Sequence, residues 1–201
     1  MKISATRDVY TFAELSPAAQ DKALENLSNV AWECLDSDMV SEDINGEFIY
    51  RATNGDGGVA SRKELFDKYG IRIYWSVSYS QSDHASIEGK LNRSDLPNLA
   101  WPDTVNYARV SHHRYGGSRV ELIETDTEAW IEHGELFDAT QQMVNDINSN
   151  LYRFARKQIE AYTSKDYVLN EYNDFGMTRR FTDEGNFAPY EFWADDNGDN
   201  Q

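Results

Sequence analysis

The sequence predicts an α+β domain in which an antiparallel sheet of about four strands is packed by an N-terminal helix and a long helix in the C-terminal half. Three observations carry that reading. From Ile71 to Leu91, apolar Ile71, Ile73, Trp75, Val77 and Tyr79 alternate with Arg72, Tyr74, Ser76, Ser78 and Ser80, and a second alternating run sets Ala85, Ile87 and Leu91 against Ser86, Glu88 and Lys90. A period of two is that of a strand with one buried face, so the stretch reads as a hairpin around the polar turn Ser80 to His84. A second pair of strand candidates, Val105 to Ser111 and Arg119 to Ile123, flanks His112 to Gly117. Helical spacing then governs Ala18 to Leu35 and the stretch up to Tyr162.

The elements follow in order. Val9 to Phe12 is extended and leads into Ser16 and Pro17, a helix cap followed by the residue favoured at the first helical position. The helix over Ala18 to Leu35 carries its apolar stripe on Ala23, Leu24, Leu27, Val30, Ala31 and Leu35. Near its end Cys34 is the only cysteine, so no internal disulfide and no paired-cysteine metal site is possible. Beside Glu33 and Asp36, which raise a thiol pKa, it reads as a small core residue and not as a nucleophile.

A weaker helix is expected over Asp38 to Tyr50, ending in the loop Thr53 to Gly58. The Asn54 to Gly58 run lacks the Gly-Lys-Ser/Thr ending of a phosphate loop and has too few alternating oxygen ligands for a calcium loop. Ser61 to Tyr69 reads as a short helix stopped by Gly70. After the two hairpins, the long helix starts between Thr127 and Asp138, with Leu136, Met143, Val144, Ile147, Leu151, Phe154, Ala155 and Ile159 on one face. Ser164 caps a further helix through Val168, Leu169 and Tyr172, and Met177 to Phe187 forms a final strand or turn. Residues 1–193 are expected as one domain, with 194–201 an acidic disordered tail.

Size and composition bound the function. A chain of 201 residues can bury about 70% of its unfolded surface, and five Trp, twelve Tyr and nine Phe argue for a packed core. No apolar run approaches the roughly 20 residues that span a bilayer, and the opening residues lack the apolar core of a secretory signal. A soluble cytoplasmic protein, with no membrane partner, is the expectation.

The net charge of -16 is unevenly placed. Residues 1–60 carry 4 basic and 11 acidic side chains, 61–120 carry 9 and 6, and 121–201 carry 6 and 18. Such a surface repels nucleic acid and anionic membranes and attracts basic surfaces, including those with which other proteins hold DNA or RNA.

Several short pieces together resemble a large family of small, mostly uncharacterised tailed-phage proteins. They are Tyr10-Thr11-Phe12-Ala13-Glu14-Leu15-Ser16 with Ala19 and Ala23, Tyr79 to Ser86 (similar to an SQGDGASF signature, with Ser82 and His84 in place of glycines), Thr163 to Asp166, and Phe181 to Gly185. The resemblance implies a phage or prophage origin and brings no established activity.

Two groups of residues can be weighed for chemistry. Gln81, Asp83, His84 and Glu88 with His112 and His113 gather at one end of the sheet if the two hairpins are neighbours. Asp83, His84, His112 and His113 could then ligate a divalent metal, or an Asp–His pair could act as a general base. The plainer reading is that turn residues satisfy local backbone groups. No HExxH or GxSxG pattern occurs, so no catalytic residue, metal or cofactor is assigned.

Glu128, Glu132, Glu135 and Asp138 recur every three or four residues, which on a helix sets neighbours about 5–6 Å apart at Cβ, comparable to adjacent backbone phosphates. The plainer reading of this stretch alone is an ordinary solvated helix face, while the net charge and the phage resemblance favour mimicry. Arg109, Arg114 and Arg119 with Tyr107 and Tyr115 form a small basic-aromatic patch, read as a cross-sheet ion-pair or interface feature.

The sequence therefore points to a non-enzymatic, phage-encoded protein that inhibits a host defence factor of the anti-CRISPR or anti-restriction type through an acidic, nucleic-acid-mimicking surface. The partner would be a host protein with a basic nucleic-acid-binding surface, not nucleic acid itself. Two alternatives stay open: a metal-dependent enzyme or ligand-binding module on the Asp83/His84/His112/His113 cluster, and a homo-oligomeric regulatory protein.

Overall fold

The computed structural model describes residues 8–33, 35–53, 61–78, 83–113, 117–125, 133–174 and 180–188. Cys34, the loop from Asn54 to Gly58 and the acidic tail lie outside them. The fold is α+β, with a four-stranded antiparallel sheet, an N-terminal helix and a long helix in the C-terminal half. The chain divides into two compact units, one of residues 36–159 and one of residues 1–35 with 160–201.

The larger unit contains the sheet. Helix α2 (Ser37–Ala52) starts where Asp36 accepts hydrogen bonds from the Asp38 and Met39 N–H groups. It is longer than its weak sequence signal because Val40, Ile44, Phe48 and Ile49 are all buried, and burial outweighs modest propensity. In α3 (Arg62–Tyr69) Ser61 and Glu64 form a reciprocal capping box, and Gly70 ends the helix in the left-handed conformation at φ +67°.

Strands β1 (Ile71–Ser76), β2 (His84–Asn92), β3 (Val105–His113) and β4 (Gly117–Thr125) follow as a meander in spatial order β1-β2-β3-β4. The two hairpin turns therefore lie at the same end of the sheet, as expected for neighbouring hairpins. Two boundaries differ from expectation. His84 pairs with Ser76 and so belongs to β2, not to the turn, while His112 and His113 belong to β3 because its ladder with β4 reaches His113↔Gly117. Ladder hydrogen bonds extend the strands past the polar residues at which apolar alternation stops.

Helix α4 (His133–Tyr162) runs for 30 residues and buries Met143, Val144, Leu151, Ala155 and Ile159. Its polar side chains also reach the sheet. Gln141 accepts from Val120 N–H at 2.9 Å and donates to Ser118 C=O at 2.8 Å, so one carboxamide serves two backbone groups of β4 as a neighbouring strand would.

The smaller unit is built from α1 (Pro17–Glu33), α5 (Lys165–Asp174) and two short segments. Leu15, Ala19, Ala23, Leu27, Val168 and Phe181 form its core, with Tyr10, Phe12, Ala31 and Phe187 against it. Tyr10 and Phe181 exchange both backbone hydrogen bonds at 2.9 Å, and Phe181 also bridges to Phe187. Where a final strand or turn is expected over Met177 to Phe187, the described residues form a turn at 183–185 between isolated bridges, and 177–179 lie outside them. Ser164 caps the start of α5 by accepting from the Tyr167 N–H.

Candidate functional site

The end of the sheet where the hairpins turn opens between them. The β1–β2 ladder extends from Ile71↔Gly89 to Ser76↔His84, but β2 and β3 pair only from Gly89↔Val110 to Asn92↔Tyr107. Beyond Gly89, the backbone of Ile87 takes other partners. Its N–H donates to Ser118 Oγ at 2.9 Å and Asn148 Oδ1 at 3.1 Å, and its carbonyl accepts from Ser118 Oγ at 2.6 Å. Ser118 and Asn148 are both buried, so this polar wedge satisfies groups that a parted ladder would leave without partners.

His112 fills the other side of the opening. Its Nδ1 is hydrogen-bonded to Ser86 Oγ at 2.6 Å, its ring stacks on Tyr74 at 4.4 Å between centroids, and His84 stacks at 5.8 Å. Burial lowers the His112 pKa, and the neighbouring His84 and His113 act in the same direction against Glu88. The imidazole is thereby held toward its neutral form. Ser86 is fully buried, so its pairing with His112 locks a ring and offers no hydroxyl to an outside substrate.

Asp83, just before β2, accepts from both the N–H and the Oγ of Ser78, at 2.8 and 2.9 Å, and so ties the chain after β1 to the start of β2. With His84, Gly117, Asn145, Ser149 and Tyr152 it lines a shallow polar cleft of about 290 Å3. Glu88 pairs with Arg72 at 3.6 Å, and His113 is exposed. The sheet brings Asp83, His84, His112 and His113 to one end, with Glu88 farther along β2, but among the described residues no group of three or more His, Cys, Asp or Glu could hold a metal ion. Gln81 lies outside the described residues.

The basic-aromatic patch is only partly described, since Arg114 and Tyr115 lie outside. The register sets Arg109 opposite Lys90 and Leu122, and Arg119 opposite Ser111. Neither arginine faces a carboxylate directly across its strand pair.

The acidic stretch is better placed. Glu135 and Asp138 are exposed on α4, while Glu128 and Glu132 lie outside the described residues. Their face continues through Gln142 to Asp146, both exposed, and Gln142 donates to Asp146 at 2.9 Å. Glu121 and Glu124 are exposed on β4, the strand that Gln141 ties to α4. Helix and strand acids thus belong to one joined pair of elements.

A sequence signal for this surface exists beyond the four-acid spacing. No Lys or Arg stands between Arg119 and Arg153, while Glu121, Glu124, Asp126, Glu128, Glu132, Glu135, Asp138 and Asp146 all do. Only the contact between β4 and α4 shows that the two elements carrying part of the run are linked. Among the described residues no helix is long and apolar enough to cross a membrane. Comparison with protein-family models, with curated proteins and with solved structures found no match to this chain.

Proposed function

We propose that this chain is a phage-encoded, non-enzymatic binding protein of the host cytoplasm that inhibits a host defence factor. Its partner is a host protein with a basic groove that ordinarily holds nucleic acid. The observation that carries the proposal is the set of exposed acids on two linked elements, Glu121 and Glu124 on β4 and Glu135, Asp138 and Asp146 on α4, with no basic residue in the sequence between Arg119 and Arg153. A net charge of -16 adds long-range steering toward a basic surface and repulsion from nucleic acid itself. The phage origin rests on the sequence resemblance.

The test is capture of partners from host-cell lysate by the tagged protein, at low and high salt, beside a Glu135→Lys/Asp138→Lys variant. A nucleic-acid-binding protein that is retained at low salt, released by salt or by competing DNA or RNA, and lost from the variant supports the proposal. Screening shortens the range of such charge pairs to about 3 Å at 1 M salt. A partner equally well retained by the variant and at high salt would discard the electrostatic mechanism.

A further inference from the structure

The two edges of the sheet differ. On β4 the Gln141 carboxamide takes the Val120 N–H and the Ser118 C=O, main-chain groups that another strand would need. On β1 the register shows which groups face outward. The Ile87 N–H and C=O both bond to Ser118 of β4, which lies on the far side of β2 from β1. Ile73↔Ile87 is therefore a pair whose members exchange no hydrogen bonds, and by alternation so is Trp75↔Ala85. The N–H and C=O groups of Ile73 and Trp75 thus point away from β2. Among the described residues no hydrogen bond from another element meets them.

A groove runs along this edge. A cavity of about 470 Å3 is lined by Arg72, Ile73, Tyr74 and Trp75 in succession, and by Ser37 of α2 and Arg62 and Leu65 of α3. Successive strand side chains point to opposite faces, so what these four residues share is the main chain, and the cavity lies beside the edge. Its walls are tied together, because the buried Ser41 hydroxyl of α2 accepts from Arg62 Nη2 at 2.8 Å and from Trp75 Nε1 at 3.0 Å. β1 has no proline, and its ladder with β2 runs without a bulge from Ile71↔Gly89 to Ser76↔His84. Proline and bulges are devices that keep other strands off an edge.

We infer that the β1 edge takes up an extended segment of a partner protein as an added strand. An extended chain matches N–H and C=O groups that recur at every second residue. With a rise of about 3.4 Å, a strand spacing of about 4.8 Å and a layer spacing of about 10 Å, one extended residue fills about 160 Å3. The cavity takes about three such residues, the span from Ile73 to Trp75. Residues of the segment opposite Ile73 and Trp75 share the face of those side chains and are apolar, and the one between them, opposite Tyr74, is polar. A second copy pairing β1 to β1 is opposed by the net charge of -16 on each chain. The inference is independent of the exposed acids on β4 and α4.

The experiment pans a displayed library of random ten-residue peptides against the whole chain and synthesises the strongest binder. An alternating apolar and polar sequence is expected. Its binding should slow amide hydrogen exchange at Ile73 and Trp75 by about tenfold or more, with far less change at Arg72 and Tyr74, whose N–H groups already face β2. Replacing the peptide amides one at a time by N-methyl amides should abolish binding at alternate positions only, since alternate N–H groups would face the edge. No enriched peptide, unchanged exchange at Ile73 and Trp75, or an N-methyl scan without the two-residue period overturns the inference. Sedimentation in which the chain alone dimerises and the peptide dissociates the dimer would also overturn it, assigning the edge to a second copy.

Discussion

The hydroxyl of Ser118 on β4 bonds both backbone groups of Ile87 on β2, accepting the N–H at 2.9 Å and donating to the carbonyl at 2.6 Å. It stands where a peptide group of β3 would be had the β2–β3 ladder continued past Gly89. Ser118→Ala leaves the Ile87 carbonyl unpaired in a buried place, while the N–H keeps Asn148 Oδ1 at 3.1 Å. The expected cost is about 1–3 kcal/mol, the desolvation penalty of an unmet backbone group. Denaturant melts of the variant measure it, and an unchanged midpoint would show that the hydroxyl does no such job.

The His112 ring gives the fold a pH dependence with a defined sign. Its pKa is lowered in the folded state, first by burial and then by His84, with Glu88 opposing and His113 assisting. The unfolded chain therefore binds the proton more readily, and stability rises with pH in this window. The contribution is fully present above the ordinary histidine pKa of about 6.5 and is lost as pH falls through it toward the lowered value. Melting points from pH 8 to 5 should fall less steeply in His112→Asn than in the wild type. Identical slopes would remove His112 as the cause.

Two glycines should respond in opposite directions to alanine. At Gly185, φ is +82° and an added Cβ would stand 2.1 Å from the Ala19 carbonyl oxygen, so backbone must move. Gly185→Ala is expected to destabilise the smaller unit by roughly 1–3 kcal/mol, the cost of holding a strained backbone conformation. Gly46, within α2, has nothing within 4 Å of an added Cβ, and Gly46→Ala should stabilise by about 0.4–1 kcal/mol. Thermal unfolding of the pair decides, and a stabilising Gly185→Ala would contradict the close approach.

Charge reversal on α4 should separate binding from folding. Glu135 and Asp138 are exposed on the first turns of the helix as it is described, so Glu135→Lys/Asp138→Lys should change stability by no more than about 0.5 kcal/mol. Partner affinity should fall about tenfold or more at low salt, because like charges then face a basic groove. Surface plasmon resonance against the captured partner reads this directly, and an unaltered dissociation constant would place the contact elsewhere.

Much of the fold was legible because local rules and tertiary packing agree. Pro17 opens α1, Ser61 and Glu64 cap α3, Gly70 closes it, and Ile71, Ile73, Ile87 and Leu91 all turn to the core. The strand ends were not legible, because His84 and His112 are polar and only ladder partners draw them into β2 and β3. The candidate clusters were legible as residue types and not as arrangements. Asp83 holds the Ser78 backbone and hydroxyl, the local bonding that its place beside a turn suggests, whereas the stack of His84 and Tyr74 on His112 gave no signal because its members lie on three different strands.

By itself the sequence determined the α+β class, the two hairpins, the helices and the uneven distribution of charge, since each follows from periodicity, capping chemistry or counting. Tertiary structure alone decided that the hairpins are neighbours in one sheet and part beyond Gly89, that Ser118 and Asn148 fill the gap, and that Gln141 ties α4 to β4. It also brought Tyr10 to Phe181, far apart in the chain, into one core. The physical reason is range. Strand and helix patterns are set by neighbours a few residues away, whereas satisfying a buried backbone group or placing two charges together depends on whatever distant segment the packing delivers.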